Sequence, residues 1–136
     1  MRQTLLRLIT IMLLTIIAGL TAITLIGCGS SDTPSQVVEK YYKAIQDNNC
    51  EAVPDLVVSG RPNVLDTYVN SCQTEAGKLV SYSIKGERFE YDGRLAGVDT
   101  EVTFKDDNGV ETTRSARATL GKTDDGWKLT KLEDRD

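Results

Sequence analysis

Residues 95–104 read Leu-Ala-Gly-Val-Asp-Thr-Glu-Val-Thr-Phe, and they show the clearest structural pattern in the chain. Every second side chain lies on one side of the predicted strand: Ala96, Val98, Thr100, Val102 and Phe104. The residues between them, Gly97, Asp99, Glu101 and Thr103, are polar or small. A period of two residues predicts a β-strand with one buried face.

Turn signals connect this strand to its neighbours. Asp92-Gly93 precedes it and residues 106–109 (Asp-Asp-Asn-Gly) follow it, and both are typical of hairpin turns. Residues 110–120 alternate again, and Asp124-Asp125-Gly126 leads into a last strand over residues 127–132. Strands joined by tight turns usually pair with their neighbours in sequence. The sequence therefore predicts an antiparallel meander of four strands.

The first strand of the meander contains an irregularity. Its apolar residues alternate at first, as Val80, Tyr82 and Ile84. Phe89 and Tyr91 then alternate on the opposite parity. A switch of one residue around Gly86 predicts a β-bulge or a sharp bend, which would curve the sheet around the elements packed on it.

Three helices are predicted before residue 79, where the apolar period is 3.6. The first begins at Thr33-Pro34-Ser35-Gln36, a capping box with proline at the first helical position. Asn49 is the expected cap of a short second helix that runs through Leu56–Val57 and is limited by Pro54. The third is expected from about Asn63 to Ala76. The predicted inward residues are Val38, Tyr41, Tyr42 and Ile45 in the first helix and Leu65, Tyr68, Val69 and Cys72 in the third.

This order of elements predicts an α+β fold in which three N-terminal helices pack on one face of a curved four-stranded antiparallel sheet. The domain is expected to span residues 33–136. The 136-residue chain has no histidine, which removes the usual general base and the commonest metal ligand. Neither a metal nor a cofactor is expected. The acidic turns lack the spacing of an EF-hand loop and are expected to be solvated.

The segment before the domain is predicted to be a signal peptide. Residues 8–26 carry no charge, and Arg2 and Arg7 precede them. Leu25-Ile26-Gly27-Cys28 resembles the lipobox of bacterial lipoproteins, in which the signal peptide is cut before a cysteine that receives a diacylglyceryl group. This resemblance implies a signal peptide over residues 1–27, lipidation of Cys28 and a tether over residues 28–32. The alternative is an uncleaved single-pass anchor, because nineteen residues nearly cross a membrane.

The location that the lipobox implies is the cell envelope, with the domain facing the periplasm or the exterior. If the host has two membranes, Gly29 favours the outer one, because Asp at that position signals inner-membrane retention in the enteric-type lipoproteins. The body from residue 28 onward carries fourteen bases and twenty acids, a net charge of −6. That charge argues against a nucleic-acid partner.

Two cysteines are left after Cys28. Cys50 and Cys72 form an even pair in a domain expected outside the cytosol, where a disulfide is the expected state. Two free buried thiols are the alternative. A redox or metal role would favour a Cys-x-x-Cys spacing, which is absent.

The stretch Val-Val-Glu-Lys-Tyr-Tyr-Lys-Ala-Ile at residues 37–45 and the closing Gly126-Trp127-Lys128-Leu129, in this order of elements, resemble the cystatin-like or nuclear transport factor 2-like (NTF2-like) fold. More narrowly they resemble small bacterial lipoproteins with a domain of the DUF4878 type, over about residues 33–133. Folds of this class support isomerases, dehydratases and binding proteins, so function must be argued from the site.

Candidate site residues are few. Enzymes of the resembled superfamily use an Asp or His base beside a tyrosine or protonated Asp, but Asp99 and Glu101 have the parity of the solvent face. Arg114 breaks the inward pattern of its strand and is expected to pair with a carboxylate; binding of an anionic ligand and simple exposure are the alternatives. The tyrosines on apolar stripes are expected to be core residues or to line a pocket: Tyr42, Tyr68 and Tyr82.

Taken together, these features predict a lipid-anchored, non-catalytic envelope protein whose small domain binds a ligand or a partner protein, or has a structural role. An isomerase or dehydratase that uses a pocket carboxylate and a tyrosine is the first alternative. A single-pass protein with the same external domain is the second.

Overall fold

A computed structural model describes residues 31–135. The predicted signal peptide, Cys28 and most of the tether lie outside the described residues, as does residue 136. The described elements, in chain order, are helix α1 (Pro34–Gln46), a 3₁₀ helix (Cys50–Leu56), helix α2 (Pro62–Glu75), and strands β1 (Leu79–Glu90), β2 (Leu95–Lys105), β3 (Glu111–Thr123) and β4 (Gly126–Arg135). None of the helices in this part of the chain has the length and apolar character needed to cross a membrane.

The strands form one antiparallel sheet in the order β1-β2-β3-β4. The helices pack on one of its faces, and this arrangement confirms the predicted α+β fold. The buried core includes residues of both helices and of the inner sheet face, among them Val38, Tyr41, Tyr42, Ile45, Tyr68, Val98, Val102, Ala118, Leu120 and Leu129.

Helix α1 begins with the predicted capping box. The backbone N–H of Gln36 donates to Thr33 Oγ1 at 3.3 Å, and the backbone N–H of Thr33 donates to Gln36 Oε1 at 2.8 Å. Pro34 occupies the first turn, where no intrahelical donor is needed. The Ser35 backbone also donates to Glu87 Oε2 of β1 at 2.8 Å, which ties the start of the helix to the sheet.

The second predicted helix is a 3₁₀ helix that contains Pro54. Proline lacks the amide that an α-helix interior needs, and short 3₁₀ segments tolerate this better. Asn49 occupies the cap position, but its side chain makes no capping hydrogen bond. A disulfide joins Cys50 to the fully buried Cys72 of α2, with 5.7 Å between their Cα atoms. It therefore links the 3₁₀ helix to the last turn of α2.

Strand β1 contains two irregularities. One lies between Ile84 and Gly86, where the sequence predicts a bulge, and leaves Lys85 as the extra residue. The other lies between Leu79 and Ser81 and was not predicted. Val80 is the extra residue there, so the expectation that it points inward is wrong: it is 39% exposed, and Leu79 is buried.

The apolar residues near the turns differ from the predicted pattern. Tyr91 was expected to continue β1, but it lies in the turn with a φ of 52° and is exposed. Phe89 is 57% exposed, and its ring packs against Trp127 with 5.8 Å between centroids. Val110 is exposed just before β3 and does not extend the strand's inward pattern. Turn geometry, rather than alternation, governs Tyr91, and Phe89 remains in the paired strand opposite Ala96.

Asp99 and Glu101 lie on the sheet face opposite the helices, as their parity predicts. Glu101 accepts a salt bridge from Lys85 at 3.2 Å, and Asp99 is surrounded by arginines on the same face. Neither carboxylate is therefore available to a site between the helices and the sheet.

Candidate functional site

A cleft of about 380 Å³ opens between helix α2 and strand β4, beside the buried face of α1. Its walls come from three elements that are distant in sequence. The lining residues are Tyr41 of α1, Asn63, Val64, Thr67, Tyr68 and Ser71 of α2, and Thr130, Lys131 and Leu132 of β4.

Local sequence explains why these side chains meet. The α2 residues recur at intervals of three and four, so they form one stripe along the helix. On the sheet side, Thr119 pairs with Lys131 whereas Leu120 pairs with Leu129, so Thr130 is an extra residue in β4. A bulge of this kind bends the strand locally. The cleft lies beside this bulge in β4.

Two tyrosines form the buried part of the cleft wall. The rings of Tyr41 and Tyr68 meet edge to face, with 5.4 Å between centroids and an interplanar angle of 87°. Both hydroxyl oxygens are buried, and neither has a hydrogen-bond partner within residues 31–135. A buried hydroxyl without a partner costs free energy, so two of them in one cleft mark it as unusual.

The adjacent Tyr42 has the opposite arrangement. Its hydroxyl lies 3.1 Å from Thr100 Oγ1, and Thr100 donates onward to the Ala116 carbonyl at 3.3 Å. This pair satisfies the polar atoms in the middle of the core. Tyr41 and Tyr42 are neighbours in the same helix, and only Tyr41 faces the cleft.

Burial raises the pKa of both cleft tyrosines. It raises the pKa of Tyr41 well above its ordinary value of 10, and the Glu75 carboxylate raises it further. Burial likewise raises the pKa of Tyr68, with a smaller contribution from Tyr42. At neutral pH both hydroxyls are therefore O–H groups that can donate to an acceptor.

The rest of the cleft is neutral or apolar. No carboxylate is among its lining residues within the described chain, and the Lys131 ammonium pairs with Glu133 at 2.6 Å. Glu75, which acts on Tyr41 electrostatically, instead accepts from Arg114 at 2.7 Å and lines a different cleft. The cleft has room for a small apolar body, and the two buried hydroxyls lie in the side chains that form its inner wall.

The predicted pocket residues do not share one pocket in the described chain. Tyr68 lines the cleft, whereas Tyr42 is a core residue with its hydroxyl satisfied by Thr100. Tyr82 stacks on the other side of Tyr42, with 5.4 Å between centroids, and lines a surface groove with Lys40 and Lys43.

Arg114 lies in the second cleft, near the β2–β3 turn. Its guanidinium donates to Glu75 at 2.7 Å and to Asp134 at 3.2 Å, and it lies 4.5 Å from the centroid of the Phe104 ring. Of the three alternatives for Arg114, the structure shows pairing with carboxylates. The broken alternation is explained by two acidic partners that lie far from Arg114 in sequence.

The apolar stripe of the first helix predicts Tyr41 as a core residue and does not assign it to a site. A signal was present in α2, where Asn63, Thr67 and Ser71 form a small polar stripe beside the apolar one. Such a stripe would be unremarkable on a solvated helix face, and only the position of β4 gives it a cleft to line.

In the first acidic turn, the Asp106 carboxylate is satisfied by nearby backbone groups. Asp106 Oδ1 accepts from the N–H groups of Asn108 and Val110, at 2.9 and 2.8 Å. Within the described part of the chain, no group of three Asp, Glu or Cys side chains comes together in a way that could hold a metal ion.

Comparison with known proteins gives relatives by structure alone. No protein-family model and no curated protein sequence matches this chain. A SEC-C motif protein from Rhodopseudomonas palustris superposes with a TM-score of 0.64 at 15% identity, over 76% of this chain and 80% of that protein. A second SEC-C motif protein, from Psychrobacter arcticus, gives 0.59 at 14% identity, over 74% and 60% of the two chains.

An NTF-2 like protein of unknown function from Shewanella oneidensis gives a TM-score of 0.57 at 17% identity, over 75% of this chain and 95% of that one. At these identities the likeness establishes the fold and nothing finer. The chain thus has an NTF2-like α+β fold.

Proposed function

We propose that this chain is a lipid-anchored envelope protein of the DUF4878 type whose NTF2-like domain is a non-catalytic binding domain. Its site is the cleft between α2 and β4. The observation that carries the proposal is the pair of buried hydroxyls, Tyr41 and Tyr68, without hydrogen-bond partners in the described chain.

The ligand class follows from the chemistry of the lining. Each unpartnered hydroxyl costs on the order of 1–3 kcal/mol, and an acceptor brought in by a ligand would offset that cost. The lining has no unpaired charge, so the ligand is uncharged where it is enclosed. A small apolar molecule with one or two carbonyl or ether oxygens fits both requirements.

The same lining argues for binding rather than catalysis. An isomerase or dehydratase on this fold needs a carboxylate or imidazole in contact with the substrate. The polar groups among the cleft's lining residues are hydroxyls, one amide and the paired Lys131 ammonium, and none is a carboxylate or an imidazole. The nearest carboxylate that influences it, Glu75, is held by Arg114.

The anchor is supported by the sequence before the domain. Cys28 follows the lipobox-like Leu25-Ile26-Gly27, and the capping residue Thr33 comes five positions later. Two or more acyl chains hold a protein stably on a membrane. The domain then needs no apolar membrane-binding surface of its own.

The binding half is tested by extracting the full-length protein in detergent and identifying, by mass spectrometry of organic extracts, neutral compounds that copurify with it. Thr67→Trp fills the cleft mouth and is expected to abolish retention. Tyr82→Phe, outside the cleft, is the matched control and is expected to retain the compound. Equal retention by wild type and Thr67→Trp, with both proteins folded, would contradict a ligand site in this cleft.

The anchoring half is tested by incorporation of radiolabelled palmitate, which is expected in the wild type and lost in Cys28→Ala. An unlabelled wild-type protein would instead favour the single-pass alternative. The two experiments are independent, so either half of the proposal can fail alone.

A further inference from the structure

The sheet face away from the helices has an unusual arrangement of charge. Asp99 of β2 accepts hydrogen bonds from three arginines: Arg88 Nη2 at 2.9 Å, Arg117 Nε at 2.7 Å and Nη2 at 2.9 Å, and Arg135 Nη1 at 3.1 Å. The arginines belong to three different strands, β1, β3 and β4. These four residues are called the Asp99 cluster below.

The Asp99 cluster carries a net positive charge. Three guanidinium groups surround one carboxylate, which leaves a local excess of two positive charges. The neighbouring pairs do not change this balance, because Lys85 pairs with Glu101 at 3.2 Å and Lys131 with Glu133 at 2.6 Å. The chain as a whole has a net charge of −4. A patch of the opposite sign on an acidic protein is an electrostatic feature that attracts anions.

The three arginines are not equivalent. Arg117 binds Asp99 through two N–H groups and is the least exposed of them. Arg88 and Arg135 each donate one N–H group to Asp99, and their side chains are 49% and 50% exposed. A guanidinium has five N–H groups, so these two retain donors for a second partner.

The surrounding surface gives that partner room. A groove of about 410 Å³ is lined by Lys85, Asp99, Thr100, Ser115, Ala116 and Arg135. On the other side of Asp99, the arginine stems pass over Gly97, where a Cβ would meet Arg88 Cγ at 3.6 Å and Arg117 Cδ at 3.9 Å. The bulge at Lys85 and the absence of a side chain at Gly97 thus help place the cations on one open face.

We propose that this face binds a phosphate group through Arg88 and Arg135, with Lys85 and the Ser115 hydroxyl in the adjoining groove. Asp99 and Arg117 hold the two arginines in position. The planar guanidinium fork matches two phosphate oxygens, and such charge-assisted bonds are stronger than neutral ones. The phosphate belongs either to a soluble phosphoester or to a lipid headgroup. This site is separate from the tyrosine cleft, and it does not depend on what the cleft binds.

The test uses the full-length protein in a non-ionic detergent and titrates it with inorganic phosphate and pyrophosphate at constant ionic strength. Binding is followed by NMR of the arginine Nε–Hε groups. Saturable shifts of Arg88 and Arg135 are expected, with pyrophosphate binding more tightly. The Arg88→Gln/Arg135→Gln variant is expected to bind about tenfold more weakly or worse.

Lys43→Gln/Lys105→Gln is the matched control, because it removes the same charge from two exposed ion pairs elsewhere. It is expected to change the affinity by about twofold at most. Arg88→Lys/Arg135→Lys keeps the charge and removes the fork, and it is expected to lie between wild type and the Gln variant. Circular dichroism melts verify that each variant is folded.

A parallel arm places the protein in nanodiscs of phosphatidylcholine with or without phosphatidylglycerol. Shifts of Arg88 and Arg135 that need phosphatidylglycerol assign the phosphate to a headgroup, whereas shifts with the soluble anions alone assign it to a phosphoester. The proposal is overturned if neither arm gives saturable shifts. Equal weakening by the control variant would also overturn it, because the attraction would then come from net charge alone.

Discussion

Removal of a tyrosine hydroxyl is expected to destabilise the protein at Tyr42 and to stabilise it at Tyr41 and Tyr68. Tyr42→Phe deletes a hydroxyl that has a partner, whereas Tyr41→Phe and Tyr68→Phe delete hydroxyls that have none in the described chain. The three substitutions are chemically identical and all lie in the buried core. Any difference between them therefore reports on hydrogen bonding rather than on the loss of ring packing.

The magnitudes follow from the contacts. Tyr42→Phe loses the 3.1 Å bond to Thr100 and is expected to lower the free energy of unfolding by about 1 kcal/mol. Thr100 keeps its bond to the Ala116 carbonyl, so the loss is not doubled. Tyr41→Phe and Tyr68→Phe each relieve the desolvation cost of an unpaired hydroxyl. Each is expected to raise the free energy of unfolding by about 1 kcal/mol.

The measurement is urea unfolding at neutral pH, followed by circular dichroism, with the slope against denaturant required to stay constant across the series. If Tyr41→Phe or Tyr68→Phe destabilises the protein as much as Tyr42→Phe does, that hydroxyl has an acceptor in the folded protein. The view of the cleft as a site with unused donors would then be wrong. If the expected signs are found, the wild type keeps two hydroxyls that lower its stability, as a binding site would require.

Three further outcomes follow. Replacing Cys50 and Cys72 by alanine is expected to lower the free energy of unfolding by about 3 kcal/mol, which is the chain-entropy value for a separation of 22 residues. An unchanged urea midpoint would show that the disulfide does not stabilise the domain. Thr33→Ala removes the cap of α1 and is expected to cost about 1 kcal/mol in the same assay, with Thr33→Ser close to wild type. Because burial raises the folded-state pKa values of Tyr41 and Tyr68 above the unfolded value of 10, their titration leaves the free energy of unfolding unchanged below about pH 10 and lowers it as the pH rises further. Above that pH the free energy of unfolding should fall by up to about 1.4 kcal/mol per pH unit for each tyrosine. Urea midpoints measured in alkaline buffers should therefore fall less steeply with pH for Tyr68→Phe than for the wild type. An equal fall in both proteins would contradict the raised pKa of Tyr68.

The sheet was predictable because its signals are local. Turns such as Asp106–Gly109 and the strict alternation of residues 96–104 fix both the strands and their order. The bulge at Val80 in β1 was not predictable, because Val80 fits the alternation as well as Leu79 does. Which of the two is buried depends on the pairing of Leu79 with Phe104, a contact across 25 residues.

The sites were less predictable than the sheet because they depend on contacts between distant segments. Tyr41 is an ordinary core residue by its helical stripe, and the other walls of its cleft come from α2 and β4, which lie far from it in sequence. Arg88, Arg117 and Arg135 alternate with other residues as solvated side chains usually do. Only the register of four strands, including the extra residue Lys85, brings them to Asp99.

The irregularities at the two edges of the sheet have a consequence for neighbouring molecules. Bulges at Val80 and Lys85 divide β1 into short regular stretches, of which Ser81–Ile84 and Gly86–Glu90 are the continuous ones. On β4, the segment after the 3₁₀ helix covers the edge at Leu129, where the N–H of Val58 donates to the Leu129 carbonyl at 3.0 Å. Kinked or covered edges resist strand-to-strand joining. Neighbouring copies of the domain would thus meet without joining their sheets edge to edge.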